Sequence, residues 1–187
     1  IQNLQLMGRR KPLRLVVNSA TLESLRQLLS LFHLDRDEPF RLEIFAESER
    51  PLQIGGGLCA ELFPVQHSPP TSGLAISGRE ARLIYSADTA PSALLERKSR
   101  GANALIHEAS GLRERELELN GEGHSSGRQA GAIAAAAGVG TLFLCHFNYH
   151  VGAGPERMAE EAGGEFSGKV IVPQAFQVYE IGRALSP

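Results

Sequence analysis

The sequence has little that would suit a membrane-bound or disulfide-rich protein. No apolar run approaches the roughly 20 residues that a membrane-spanning helix needs, which predicts a soluble protein. The two cysteines, Cys59 and Cys145, form no CxxC pair and are too few for a disulfide framework. We therefore expect reduced thiols and a cytoplasmic location. The chain opens on Ile1 without a signal peptide, so a fragment or a processed form is one interpretation.

The chain also lacks a strong excess of charge. Its 19 basic and 21 acidic residues leave a net charge of −2. This balance argues against a protein that binds nucleic acid through its overall charge alone. A local basic stretch at Met7–Lys11, followed by Arg14, could contact nucleic acid or could be an ordinary solvated loop.

Strand and helix patterns alternate along the 187 residues, and 42% of them are hydrophobic, which is enough for a substantial core. Apolar residues at helical spacing, together with capping residues, predict helices over 21–32, 91–98, 126–137 and 155–162. Strands are predicted over 13–17, 41–46, 60–66, 74–76, 82–85, 104–106, 142–145, 169–172 and 176–181. We expect one α/β domain over residues 1–187, a sheet with helices packed outside it.

Polar residues stand at or just after the ends of four predicted strands. They are His67, Asp88, the pair His107–Glu108, and His146. Strand ends are rigid positions from which side chains can face a cleft. Imidazole and carboxylate groups are ligands that suit Zn²⁺ or Mn²⁺, and a carboxylate between two histidines could bridge two ions. The pattern therefore indicates a metal site.

Ordinary structural roles are also open to the candidate ligands. His67 and His146 could be histidines that only hydrogen-bond their neighbours. Asp88 could cap the helix that begins near Pro91. From spacing alone, the metal site and these structural roles both remain open.

Ordinary structural roles are also open to the other polar candidates. His107 and Glu108 could form a local ion pair, and His124 could be a loop residue beside the helix cap at Ser126. Two further histidines, at positions 33 and 150, are expected at the surface.

The order of the motifs resembles a known family. In chain order they are a strand ending at His67, Tyr-Ser-Ala-Asp-Thr at 85–89, Ile-His-Glu-Ala-Ser at 106–110, His-Ser-Ser-Gly-Arg-Gln-Ala at 124–130 and Leu-Cys-His-Phe at 144–147. The first two resemble the His and Gly-Asp-Thr segments of the metallo-β-lactamase superfamily. The others resemble the His-Glu-Ala-Thr, His-Ser-Thr and Thr-His-Phe segments of its tRNA 3′-processing endonucleases, the ribonuclease Z family. The resemblance covers about residues 1–181.

The resemblance implies a fold and a set of roles. The fold would be a metallo-β-lactamase-like αββα sandwich whose N-terminal part is missing from this sequence. His67 would bind one metal ion, Asp88 would bridge two, and His146 would bind the second. Two zinc ions, or manganese, would activate water to cleave a phosphodiester such as RNA. His124 would donate a proton to the leaving oxygen, and Glu108 would orient it. A homodimer would agree with the resemblance, although the sequence fixes no interface.

Two features depart from the family pattern. The main metal motif, His-x-His-x-Asp-His, is absent, and the family places it just upstream of a segment like Ile1–Leu6. We therefore expect a longer natural protein, of which this chain is the C-terminal two-thirds. Bacterial members insert a long arm between the metal His and Asp, whereas only a hairpin separates His67 from Asp88, so small phosphodiesters remain open as substrates. The alternatives are an ester or thioester hydrolase on the same fold and a metal-free relative that only binds a partner.

Overall fold

A computed structural model describes residues 1–36, 39–47, 51–148 and 154–182. The chain divides into two compact units, Ile1–Ser48 and Glu49–Pro187. The expectation of a single domain over residues 1–187 stays a prediction. Among the described residues, no helix is long and apolar enough to cross a membrane.

The first unit is a small α/β arrangement. Its elements are helix α1 (Gln2–Leu6), strand β1 (Leu13–Val17), helix α2 (Leu22–Leu31) and strand β2 (Leu42–Ala46). The two strands pair in parallel, with Leu15 opposite Ile44. A single 3₁₀ turn at Ser19–Thr21 leads into α2, and its cap residue Asn18 accepts a hydrogen bond from the Ala20 amide at 2.9 Å. Both strands and the long helix therefore lie where the sequence patterns predict them.

The apolar stripe of α2 is only partly buried. Leu29 is 4% exposed, whereas Leu28 and Phe32 are 53% and 62% exposed. The helical spacing therefore predicts the helix correctly but not which residues of its apolar face are covered. Phe40 is buried, and the Arg9 guanidinium lies 5.8 Å from the centre of its ring.

The second unit is built on a seven-stranded sheet in the order β3-β4-β5-β6-β7-β8-β9. Strands β3 to β6 are antiparallel, and β6 to β9 are parallel. The strands are β3 (Leu52–Gly55), β4 (Leu58–Pro64), β5 (Ser72–Ser77), β6 (Arg82–Tyr85), β7 (Ala104–Glu108), β8 (Thr141–Cys145) and β9 (Lys169–Ile171). The parallel half brings the carboxyl ends of β6, β7 and β8 to one edge.

The described part of the second unit also contains four helices. They are α3 (Ala93–Ser99), α4 (Glu116–Glu122), α5 (Gly127–Ala137) and α6 (Pro155–Glu165), with a 3₁₀ turn at Arg113–Arg115 before α4. Ile84, Leu105 and Leu142 lie side by side on β6, β7 and β8, are fully buried, and share one core cluster with residues of α3, α5 and α6. Helix α5 begins with the predicted capping box, in which Ser126 and Gln129 satisfy each other's backbone amides.

Some sequence expectations were wrong or incomplete. Residues 176–181 form no strand, because Phe176 adopts a φ of 63° and Tyr179 instead packs its ring on Phe143 at 5.3 Å. The chain also contains α1, β3 and α4, which the patterns did not predict. His33 is exposed as expected, and His150 lies outside the described residues.

Candidate metal centre

Three polar side chains from different parts of the second unit come together. Asp88 follows β6, His124 lies between α4 and α5, and His146 follows β8. One possible ligand atom from each lies within 4.8 Å of the others. The Nε2 atom of His146 is 3.5 Å from Oδ2 of Asp88, and the ring of His146 stacks on that of His124 at 5.4 Å. The ends of β6 and β8 therefore bring two of the three predicted ligands, Asp88 and His146, together, and His124 joins them.

Two of the turns that carry these residues have unusual backbone conformations. Ala87, directly before Asp88, has a φ of 53°, and His146 has a φ of 54°. A non-glycine residue in this left-handed region costs about 1–2 kcal/mol. Such local strain is common at functional sites, where the surrounding structure holds it in place. Here it bends the chain sharply after β6 and after β8.

His67 lies beside the group rather than within it. Its ring centre is 4.9 Å from that of His124. Its Nδ1 atom lies 3.1 Å from the carbonyl oxygen of Gly123, to which it can donate a hydrogen bond. This contact leaves Nε2 as the lone-pair nitrogen. Strand β4 ends at Pro64, so His67 follows the strand by a short extended segment, in which Gln66 bridges to Ala90.

Glu108 is the buried carboxylate behind the histidines. Its side chain is fully buried at the end of β7. It accepts hydrogen bonds from the backbone amides of Thr89 and Ser125, at 2.5 and 3.2 Å, and from the Ser110 hydroxyl at 2.7 Å. Its fourth partner is Nδ1 of His124, 3.0 Å from Oε1. Four donors around one buried carboxylate offset the cost of removing it from water.

The contacts of Glu108 and Asp88 exclude two of the structural roles that the sequence left open. Glu108 does not form an ion pair with His107, whose Nδ1 atom instead lies 2.7 Å from the backbone carbonyl of Glu108. Burial lowers the pKa of His107, so this imidazole is neutral. Asp88 does not cap the following helix, because Ser92 is the N-cap and accepts from the Leu95 amide.

Thr89 and Ser110 are two further polar residues in contact with this group that the sequence reasoning did not single out. Thr89 is fully buried, and its hydroxyl accepts from the Gln66 amide at 3.1 Å. Its carbonyl accepts from the Ser125 hydroxyl at 2.6 Å. Ser110 Oγ lies 3.0 Å from Nδ1 of His146. Thr89 directly follows Asp88, and Ser110 stands two residues after Glu108. This proximity to candidate site residues is the sequence signal that could have identified them.

A cavity opens beside the histidines. Its volume is about 330 Å³, and its lining includes Ser110, Leu119, Glu122, His124, His146 and Phe147. Cys145 lies at the end of β8, and burial raises the pKa of its thiol to about 11, with Glu108 and Asp88 adding to the effect. The thiol is therefore neutral near pH 7, in keeping with a reduced, unreactive cysteine.

The geometry fits a divalent metal ion. Asp88 and His146 present an oxygen and a nitrogen toward each other, and both are ligand types that Zn²⁺ and Mn²⁺ accept. The Nδ1 atoms of His67 and His146 are each within hydrogen-bonding distance of a protein oxygen, which is how metal-binding histidines are usually held.

Comparison with known families gives the context for this site. A profile described as "Beta-lactamase superfamily domain" matches residues 1–147. The chain belongs to the β-lactamase superfamily. Ribonuclease Z of Mycobacterium avium strain 104 is 31% identical over 164 residues, which are 81% of this chain and 59% of that protein. Ribonuclease Z of Mycobacterium marinum is 27% identical over 178 residues, covering 85% of this chain and 64% of that protein. This superfamily member thus spans about 59% of the first of these relatives.

Solved structures show the same fold. The metallo-β-lactamase fold protein YhfI from Bacillus subtilis superposes with a TM-score of 0.76 at 22% identity, covering 92% of this chain and 66% of that one. Human tRNase Z, short form, gives 0.71 at 16% identity, covering 96% and 71%. Zn²⁺-bound PqqB from Methylobacterium extorquens gives 0.63 at 19% identity, covering 91% and 66%. The prediction of a metallo-β-lactamase-like α/β fold for this superfamily member is confirmed.

Proposed function

We propose that the protein is a metal-dependent phosphodiester hydrolase of the ribonuclease Z kind, acting on RNA or on a smaller phosphodiester. The observation that carries the proposal is the meeting of Asp88 and His146 at 3.5 Å beside the Glu108–His124 pair. Such an arrangement places a metal-binding edge beside an acid–base group, and His124 and His146 both line the cavity. The similarity to the two mycobacterial ribonucleases Z supports this choice of substrate class.

His67, Asp88 and His146 are the proposed metal ligands. Asp88 would lie between two zinc or manganese ions, with one histidine on each. When bound, the metal supplies an activated water near neutral pH and offsets the negative charge that develops on the phosphoryl group. These three side chains are fewer than two ions require, so the dinuclear form of the proposal needs additional ligands.

His124 is the proposed proton donor to the leaving oxygen. The Glu108 carboxylate accepts from its Nδ1 at 3.0 Å, which fixes the ring and leaves Nε2 directed away from the carboxylate. A proton on Nε2 is then available to a substrate oxygen in the cavity. Because Glu108 has four protein donors, it orients His124 rather than exchanging protons with solvent.

The test begins with bound metal, measured by elemental analysis and by competition with a chromogenic chelator. We expect the 187-residue chain to bind Zn²⁺ and His146→Asn to weaken this binding by at least about tenfold. The matched control is His33→Asn, because His33 is an exposed histidine with nearly the same φ, 53° against 54°. Asn tolerates this conformation at both positions. Equal loss of metal in both variants, or in neither, would contradict the assignment.

The second measurement separates the reaction classes. Hydrolysis of bis(p-nitrophenyl) phosphate, of a short RNA and of a thioester is compared at the same metal loading. Phosphodiester cleavage supports the proposal, and thioester cleavage alone would favour an ester or thioester hydrolase on this fold. Should the source reading frame continue upstream of residue 1, the longer product is measured alongside. About two metals per longer chain would support the dinuclear form.

A chain that binds no metal in either form would favour a metal-free binding protein.

The proposed homodimer is tested on the same samples by light scattering. RNA binding through the exposed Lys11 and its basic neighbours would weaken steeply with added salt, and a salt-independent affinity would exclude that contact.

A further inference from the structure

Ser110 lies between the buried carboxylate and two of the histidines. Its side chain is 3% exposed, and it follows β7 directly after Ala109. Its Oγ atom is 2.7 Å from Oε2 of Glu108, 3.0 Å from Nδ1 of His146 and 3.4 Å from Nδ1 of His124. One hydroxyl thus contacts a carboxylate and both imidazoles of the stacked pair.

The direction of each hydrogen bond follows from the donors available. The Ser110 hydroxyl has two oxygen acceptors within reach, Oε2 of Glu108 at 2.7 Å and the backbone carbonyl of His146 at 3.3 Å, and its single hydrogen points to the closer one, Glu108. The oxygen lone pairs of Ser110 are then free to accept a hydrogen bond from an N–H group. This group is the Nδ1–H of His146, because that nitrogen lies 3.0 Å from Oγ of Ser110. A single ring proton on Nδ1 leaves the lone pair of His146 on Nε2, the atom that lies 3.5 Å from Oδ2 of Asp88.

The backbone holds Ser110 firmly in this place. Its amide donates to the carbonyl of Ser125 at 2.9 Å, and the amide of Ala109 donates to the carbonyl of Cys145 at 2.9 Å. The second contact connects the residue before Ser110 to the residue before His146. The hydroxyl and the imidazole are therefore fixed relative to each other by neighbouring strand ends.

We propose that Ser110 is a positioning residue that holds His146 in its Nδ1–H tautomer and so presents Nε2 toward Asp88. One buried carboxylate then orients two imidazoles, His124 directly and His146 through the Ser110 hydroxyl. The inference rests on the proposed function only in giving His146 the role of a metal ligand. The hydrogen-bond relay itself exists whether or not the site binds metal.

The experiment uses three substitutions in the full 187-residue chain. Ser110→Thr keeps the hydroxyl, Ser110→Val has the shape of threonine without it, and Ser110→Ala removes it with no added bulk. The tautomer of His146 is measured by long-range ¹H–¹⁵N correlation at mildly alkaline pH. The His146→Asn variant assigns the signal. We expect the Nδ1–H form to dominate in the unmodified chain and in Ser110→Thr, and to lose its dominance in the Val and Ala variants.

Zinc affinity is the second readout. Without the hydroxyl, the affinity should fall by about tenfold or more, and Ser110→Thr should restore it. The control is Ser99→Ala, because Ser99 is also a fully buried serine, and its hydroxyl has no hydrogen-bond partner among the described residues. This control should leave both the His146 tautomer and the zinc affinity unchanged. The Ala variant supplies the same comparison if the bulkier Val variant does not fold.

The outcomes separate this inference from the proposed function. If Ser110→Val and Ser110→Ala leave the His146 tautomer as it was, the positioning role is wrong, even if the protein binds zinc and cleaves phosphodiesters. If the tautomer changes in these variants but no form binds zinc, Ser110 positions His146, and the metal-dependent function is the part that fails.

Discussion

The carbonyl oxygen of Gly123 lies 3.1 Å from Nδ1 of His67, across 56 residues of sequence. Gly123 is the C-cap of α4 and has a φ of 84°, which a side chain strongly disfavours. A Cβ atom at Gly123 would also lie 2.8 Å from that same His67 nitrogen. The end of α4 therefore determines where a proposed metal ligand sits.

Gly123→Ala should reduce both stability and metal binding. The left-handed conformation alone costs alanine about 1–2 kcal/mol, and the clash must displace the His67 ring. We expect a lower unfolding midpoint in urea and weaker zinc binding. Gly121→Ala is the matched control, because a Cβ there has open space within α4 and favours the helix by about 1 kcal/mol. Equal behaviour of the two variants would show that His67 does not depend on this turn.

His124→Gln should separate proton donation from metal binding. If His124 donates the proton, hydrolysis should fall by about 100-fold or more while the bound zinc stays unchanged. His124 also belongs to the group whose ligand atoms lie within 4.8 Å, so the opposite result is informative. Loss of zinc in His124→Gln would make His124 a ligand and would require another proton donor.

Gly131→Ala tests the close packing of α5 on α6. A Cβ at Gly131 would lie 2.3 Å from the carbonyl oxygen of Ala162, and backbone atoms cannot yield cheaply. Overpacking of this kind costs about 1–3 kcal/mol, more than the gain of about 1 kcal/mol in helix propensity. Urea unfolding should show a net loss of stability. Gly163→Ala, at an open position in α6, should instead be neutral or stabilising.

Glu116→Gln tests the ion pair that joins α4 to α5. Arg128 donates to both carboxylate oxygens of Glu116, at 2.7 and 2.8 Å, and the Ser126 hydroxyl donates at 2.7 Å. The hydrogen bond from Arg128, and then that from Ser126, hold the pKa of Glu116 below its usual value, although burial opposes them. A lowered folded-state pKa means that the stabilisation is present above the unfolded pKa of glutamate, about 4.3, and is lost as the pH falls through the folded value.

The lowered pKa of Glu116 in the folded state determines how the variant should depend on pH. Glu116→Gln should lose about 1 kcal/mol at neutral pH, and the difference from the unmodified chain should shrink in acid. Urea unfolding at a series of pH values measures this. Glu118→Gln is the control, since its partner Arg115 lies at the surface and solvent screens that pair. A constant difference at every pH would contradict the role of the Glu116 charge.

Sequence reasoning predicted the elements whose signals are local. The strand at Leu13–Val17 has the predicted limits, and the capping box at Ser126 depends on residues three apart. The candidate residues at the ends of β6, β7 and β8 were also identifiable, because parallel strands bring their carboxyl ends together.

Features that depend on distant partners could not be predicted in this way. The contact of Ser110 with His146 spans 36 residues, and the contact of Gly123 with His67 spans 56. The sequence predicted a strand at 176–181, but a strand also needs a neighbour to pair with. The segment instead has a turn at Phe176 and an edge-to-face contact between the rings of Tyr179 and Phe143.

The left-handed conformation of Ala87 links the site to the thermodynamics of folding. Relaxing this residue would release about 1–2 kcal/mol locally but would carry Asp88 out of the cluster. The folded protein therefore maintains a preorganised but locally unfavourable turn. Any ligand that requires Asp88 in its present position increases the free energy of unfolding, because it binds only the folded state. The free energy of unfolding should then rise as the site fills and, above the dissociation constant, in proportion to the logarithm of the free ligand concentration.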